Sequence, residues 1–85
     1  MVTGQAGSGA SASGTVTLSG MPVGGTGATF LVFANMNTGN TTTPYIVNVN
    51  PSAGNTFTYA KLYWTGTAWA GVTSGEVFDY MAIWL

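Results

Sequence analysis

Apolar and polar residues alternate along much of the chain, the period of a strand with one face turned inward. Residues 14–19 (Gly-Thr-Val-Thr-Leu-Ser) follow this pattern, and Gly20 ends it. Residues 56–64 carry it furthest. Phe57, Tyr59, Lys61 and Tyr63 fall on one face, and Thr58, Ala60, Leu62 and Trp64 on the other. Residues 28–34 (Ala-Thr-Phe-Leu-Val-Phe-Ala) are almost continuously apolar and rich in β-formers, which predicts a strand buried on both faces. Residues 44–49 predict another, with Pro44 at the first position, where its missing N–H costs no ladder bond. In the last predicted strand, 77–85, Val77, Asp79, Met81, Ile83 and Leu85 share one face and Phe78, Tyr80, Ala82 and Trp84 the other. Both faces are apolar, so this strand is either central in a sandwich or pressed against a neighbouring subunit.

Turn or loop residues occupy 21–27, 37–40, 50–55 and 72–75, and Thr65-Gly66 leads a tight hairpin into Thr67-Ala68-Trp69. No stretch holds helical periodicity over three turns. Short strands between Gly and Asn turns predict an all-β fold, a small antiparallel sandwich or barrel of jelly-roll-like type. The first 14 residues break the pattern. They are mostly Gly, Ala and Ser, a linker composition. This predicts a flexible Gly/Ser-rich N-terminal arm over 1–14, ordered only where a partner holds it, and a single β-domain over 15–85.

Composition narrows the function. The 85 residues include one Lys, no Arg, two acidic side chains, no His and no Cys, and 4% of them are charged. An ordinary domain is about 25% charged. With Lys61 as the sole cation, a phosphate backbone cannot be neutralised, which argues against nucleic-acid binding. Zinc, haem and iron–sulfur sites lack their usual ligands, and Ser–His and Cys–His nucleophile pairs cannot be built, so no cofactor is expected. A near-neutral net charge of −1 gives little repulsion between copies. A domain this small often leans on disulfides, metals or oligomerisation, and here the first two are closed. Oligomerisation is therefore expected. Residues 1–5 show no secretion signal, and the apolar runs 30–34 and 81–85 fall far short of the ~20 residues of a membrane span.

Few side chains carry chemistry. Glu76 and Asp79 are the two carboxylates, and three residues apart on a strand they point to opposite faces, which does not suit a two-carboxylate acid–base site. No catalytic residue is assigned, and the chain reads as non-enzymatic. The two carboxylates read as edge or interface charges, and an ion pair of Asp79 with Lys61 across an interface is the expected contact. Phe78, Tyr80, Met81, Ile83 and Trp84 are the candidate subunit-interface residues. Trp69, which follows the hairpin turn, and Tyr63 are the candidate ligand-stacking residues, since aromatic faces stack on sugar rings. Residues 35–43, rich in Asn and Thr, read as a solvated loop without the carboxylates a hard cation wants. Asn40-Thr41-Thr42 matches a glycosylation acceptor, and Gly24-Gly25-Thr26-Gly27 lacks the Lys of a phosphate loop.

Residues 63–69 (Tyr-Trp-Thr-Gly-Thr-Ala-Trp) are similar to hairpins of tailed-phage virion proteins, and residues 78–84 (Phe-Asp-Tyr-Met-Ala-Ile-Trp) resemble the last strand of small phage β-domains, including the H-type-lectin-like trimeric tips of tail fibres. The resemblance covers roughly the last third of the chain. It implies a virion structural role and a trimer, and carries over no catalytic residue. The expectation is a virion protein at the phage particle surface that decorates or cements the capsid through oligomer and arm contacts. Its partners would be copies of itself and the major capsid or another virion protein. The alternative is a receptor- or carbohydrate-binding tip module of a tail fibre. A secreted or designed all-β scaffold is the third option.

Overall fold

A computed structural model describes residues 1–19, 30–37, 43–52 and 55–85. The protein is all-β. The strands are β1 (Val2–Ala6), β2 (Ser13–Thr17), β3 (Phe30–Met36), β4 (Tyr45–Ser52), β5 (Thr56–Trp64), β6 (Trp69–Gly71) and β7 (Phe78–Trp84). They form two antiparallel sheets. In one, β7 lies between β1 and β3. In the other, β5 lies between β4 and β2, and β6 pairs with the far end of β5. The two longest alternating strands of the sequence are thus the two central strands. A central strand needs side chains on both faces and bonds on both edges, and β5 and β7 have the β-formers to supply them.

The sheets stack through aromatic side chains. Phe57 and Phe78 are fully buried and meet at 6.4 Å, Phe57 meets Tyr80 edge-on at 5.2 Å, and Tyr59 meets Phe78 at 4.9 Å. Leu18, Phe30, Met36 and Ala82 complete the core, with Trp84 tilted against Phe30 at 6.1 Å.

The segment read from its composition as a flexible arm carries β1 and the start of β2. Residues 2–6 pair along β7 of the same chain, from Val2 opposite Ala82 to Ala6 opposite Phe78. The reason is steric. Gly4 stands opposite Tyr80 and Gly14 opposite Tyr59, and each tyrosine ring lies across its glycine. A Cβ on Gly4 would come within 2.6 Å of Tyr80 Cζ, and one on Gly14 within 2.8 Å of Tyr59 Cζ. The small residues are the floor on which rings from the central strands rest, a use of strand glycine that linker composition does not reveal.

Two other predicted elements change. The strand expected to be buried on both faces alternates instead: Phe30 and Met36 are buried, while Leu31 and Phe33 point outward. Its first two predicted residues, 28 and 29, lie outside the described residues. Residues 50–52, expected in a turn, extend β4, and Pro51 is tolerated there because β4 is an edge strand. The turn itself retains Asn55 at φ 59°, a left-handed conformation that asparagine accepts. The loop at 21–27, with Gly24 to Gly27, and the Asn40 acceptor also lie outside the described residues.

Candidate functional site

The single lysine sits at the centre of the fold. Lys61 is on the inward face of β5 and is fully buried. Its ammonium donates to the carbonyl of Gly7, to that of Glu76 at 2.9 Å, and more weakly to that of Gly9 at 3.5 Å. Its main chain marks the seam where β2 gives way to β6. Lys61 N–H donates to Ala12 at 2.7 Å, and its carbonyl accepts from Val72 at 2.9 Å. One residue therefore ties the β1–β2 connection, the start of β6's continuation and the lead into β7. Gly7 permits this approach with φ +86°, where a side chain would be strained and would also crowd Phe78.

This geometry corrects the expected pairing of Lys61 with Asp79. Asp79 is exposed on the opposite side of its sheet and accepts from Gln5 Nε2 at 3.0 Å. Lys61, fully buried among carbonyls, cannot reach a subunit surface. Glu76 keeps its carboxylate toward solvent. Ser74 Oγ donates to it at 2.6 Å, and this bond, helped by its own main-chain N–H and the nearby Lys61 charge, holds its pKa below the ordinary carboxylate value.

Two outer surfaces remain apolar. On the β1–β7–β3 sheet, Leu31 lies opposite Ile83 and Phe33 opposite Met81. Leu31 and Phe33 keep 45% and 52% of their surface exposed. Gln5, Asp79 and Asn35 form a polar row at one end of this face, with a shallow depression between Phe33, Asn35, Asp79 and Met81. Of the candidate interface residues, Met81 and Ile83 belong to this surface. Phe78, Tyr80 and Trp84 do not, because they point into the core. The two-period of a strand splits the five residues by face.

On the other sheet, Trp64 and Trp69 stand opposite each other at the base of the hairpin. Their rings meet edge-to-face at 5.3 Å, and both are exposed. The turn is fastened by Thr65, whose N–H donates to Ala68 O at 2.9 Å and whose Oγ1 accepts from Ala68 N–H at 3.1 Å. Tyr63, paired in the sequence reading with Trp69, lies on the opposite face of β5 and packs against Tyr45 at 6.2 Å. Trp69 and Tyr63 therefore do not form one platform. Trp64 is the ring that pairs with Trp69. The cross-strand register of the hairpin was the available signal, since residues flanking a four-residue turn face each other.

Among the described residues, no group of three or more His, Cys, Asp and Glu converges to hold a metal ion. No protein-family model, curated protein or solved structure matches the chain.

Proposed function

We propose that the chain is a non-enzymatic structural protein of a phage particle, one that decorates or cements the capsid as an oligomer. The observation that carries this reading is the outer face of the β1–β7–β3 sheet, where Leu31, Phe33, Met81 and Ile83 form an apolar surface with Asp79 as the charge at its edge. A contiguous apolar face rimmed by polar residues is the form of a protein–protein contact. The resemblance of residues 63–69 and 78–84 to small phage β-domains supplies the context. The contact runs through this face rather than through a free arm, since β1 is already paired with β7. A protein that binds the assembled shell and not its free subunits stabilises the shell by mass action.

Binding to purified particles tests the reading. Phe33→Asp and Leu31→Asp alter exposed positions, so the domain should stay folded while particle binding and oligomerisation are lost. Folded variants that still decorate the particle would overturn it. Immunogold label over the head supports decoration, whereas label confined to the tail end favours the second reading.

That second reading is a carbohydrate-binding tip module, favoured by the exposed Trp64–Trp69 pair. Indole faces stack on sugar rings, and the Thr65 and Thr67 hydroxyls stand beside them in the turn. A glycan array whose signal disappears in Trp69→Ala would support it.

A further inference from the structure

A recess separate from both outer faces opens where β4 begins and β5 ends. It is lined by Tyr45, Tyr63, Gly71, Val72, Thr73 and Ser74. We infer that this recess is a binding site for a single neutral sugar ring. The inference concerns a site independent of the face proposed to dock on the particle and of the hairpin tryptophans.

The two tyrosines are the reason to expect a ring. Tyr45 and Tyr63 are direct cross-strand partners, and their rings are tilted by 40° with centroids 6.2 Å apart. This arrangement offers aromatic surface to the C–H face of a pyranose. The opposite wall is a short segment with a fixed backbone: Val72 is buried, and its N–H is committed to Lys61 O at 2.9 Å. Thr73 and Ser74 follow it and carry hydroxyls. Ser74 already donates to Glu76 Oε2 at 2.6 Å, which leaves its oxygen as an acceptor. The recess as a whole has a mainly polar lining and combines an aromatic side with a hydroxyl side.

Size and charge select the ligand. The recess has a volume of about 180 Å³, below the ~300–1,000 Å³ of sites for drug-sized molecules, which suits one ring and not a chain. Anions are excluded by electrostatics. The one lysine is fully buried and bound to the carbonyls of Gly7, Gly9 and Glu76, so no cation faces the recess, while the Glu76 carboxylate stands behind Ser74. Two tilted rings do not enclose a guest on several sides, as the aromatic cages that hold quaternary ammonium groups do. A neutral polyol that stacks on one side and hydrogen-bonds on the other meets all these conditions.

An NMR titration of the intact chain with methyl glycosides of glucose, galactose, mannose and N-acetylglucosamine tests the site. At millimolar glycoside, the amides of residues 71–74 and the rings of Tyr45 and Tyr63 should shift with at least one sugar. Tyr45→Leu should abolish these shifts, and Thr73→Val should weaken the same binding several-fold. Both should leave particle binding intact, which separates this proposal from the decoration reading. Three outcomes would overturn it: no shift at 71–74 with any glycoside; shifts confined to the Trp64 and Trp69 indoles; or shifts with tetramethylammonium alone.

Discussion

Lys61 Nζ donates to the main-chain carbonyl of Glu76 at 2.9 Å, and not to the Glu76 carboxylate, which takes Ser74 instead. The buried cation is thus stabilised by peptide dipoles, with the carbonyls of Gly7 and Gly9 as its other partners. Hydrogen bonds to a charged group contribute about 1.5–3 kcal/mol each, offset by the cost of desolvating the charge. Lys61→Met keeps the length of the side chain and removes the donors. Urea unfolding should show a net loss of about 1–3 kcal/mol. Hydrogen exchange should show faster opening of residues 7–9 and 76. An unchanged midpoint would mean that the ammonium contributes nothing to stability.

The Gly4–Tyr80 contact predicts a size limit. Gly4→Ala places a methyl group against the phenol ring, and the ring must move away from its seat beside Phe57. Overpacking of this kind costs about 1–3 kcal/mol. Pairing Gly4→Ala with Tyr80→Leu should give a double mutant less destabilised than the sum of the singles, read from thermal melts. Strict additivity would place the two residues out of contact. Gly14→Ala against Tyr59 should behave alike.

The Ser74–Glu76 bond predicts a pH effect. The folded-state pKa of Glu76 is held down, chiefly by Ser74. Its stabilising contribution is therefore present above the ordinary carboxylate value and is lost as pH falls through the depressed value. A carbon-detected NMR titration of Glu76 should show its pKa rising toward the ordinary value in Ser74→Ala. No change on that substitution would assign the shift to another group.

The Trp64–Trp69 pair predicts a local effect. An edge-to-face aromatic pair contributes about 0.5–1.5 kcal/mol beyond its area burial. Trp69→Ala should lower stability by about that amount and remove the near-ultraviolet circular dichroism of the coupled indoles. The core should be untouched, because both rings lie outside it. A collapse of the whole domain would show that the hairpin is integral to folding.

Residues 56–64 and 78–84 read correctly from their period. Each showed which side chains share a face, and one of those two faces on each strand is the one the sheets bury. The hairpin at Thr65-Gly66 was legible from its turn residues. Residues 30–36 were not. Phe30, Leu31, Val32 and Phe33 are all apolar, so the sequence carries no mark of which two turn outward, and only the packing of β3 beside β7 decides it. Residues 1–6 misled for the opposite reason. Gly and Ala signal flexibility when considered alone, yet here they fit beneath Tyr80 and Phe78. The candidate site was half legible. Trp69 and Tyr63 were found as aromatic candidates, but their partners, Trp64 and Tyr45, depend on cross-strand register.

By itself the sequence determined the fold class, the near absence of charge and the lack of Cys and His. These are properties of local period and of composition, which survive in any arrangement of the chain. Tertiary structure alone decided that β1 pairs with β7, that Lys61 is a buried clasp, and that two aromatic pairs and one apolar sheet face point where they do. Those facts rest on contacts between residues separated by almost the whole chain, as Val2 is from Ala82. No local pattern encodes such a pairing, because it is selected by how two whole sheets fill the space between them.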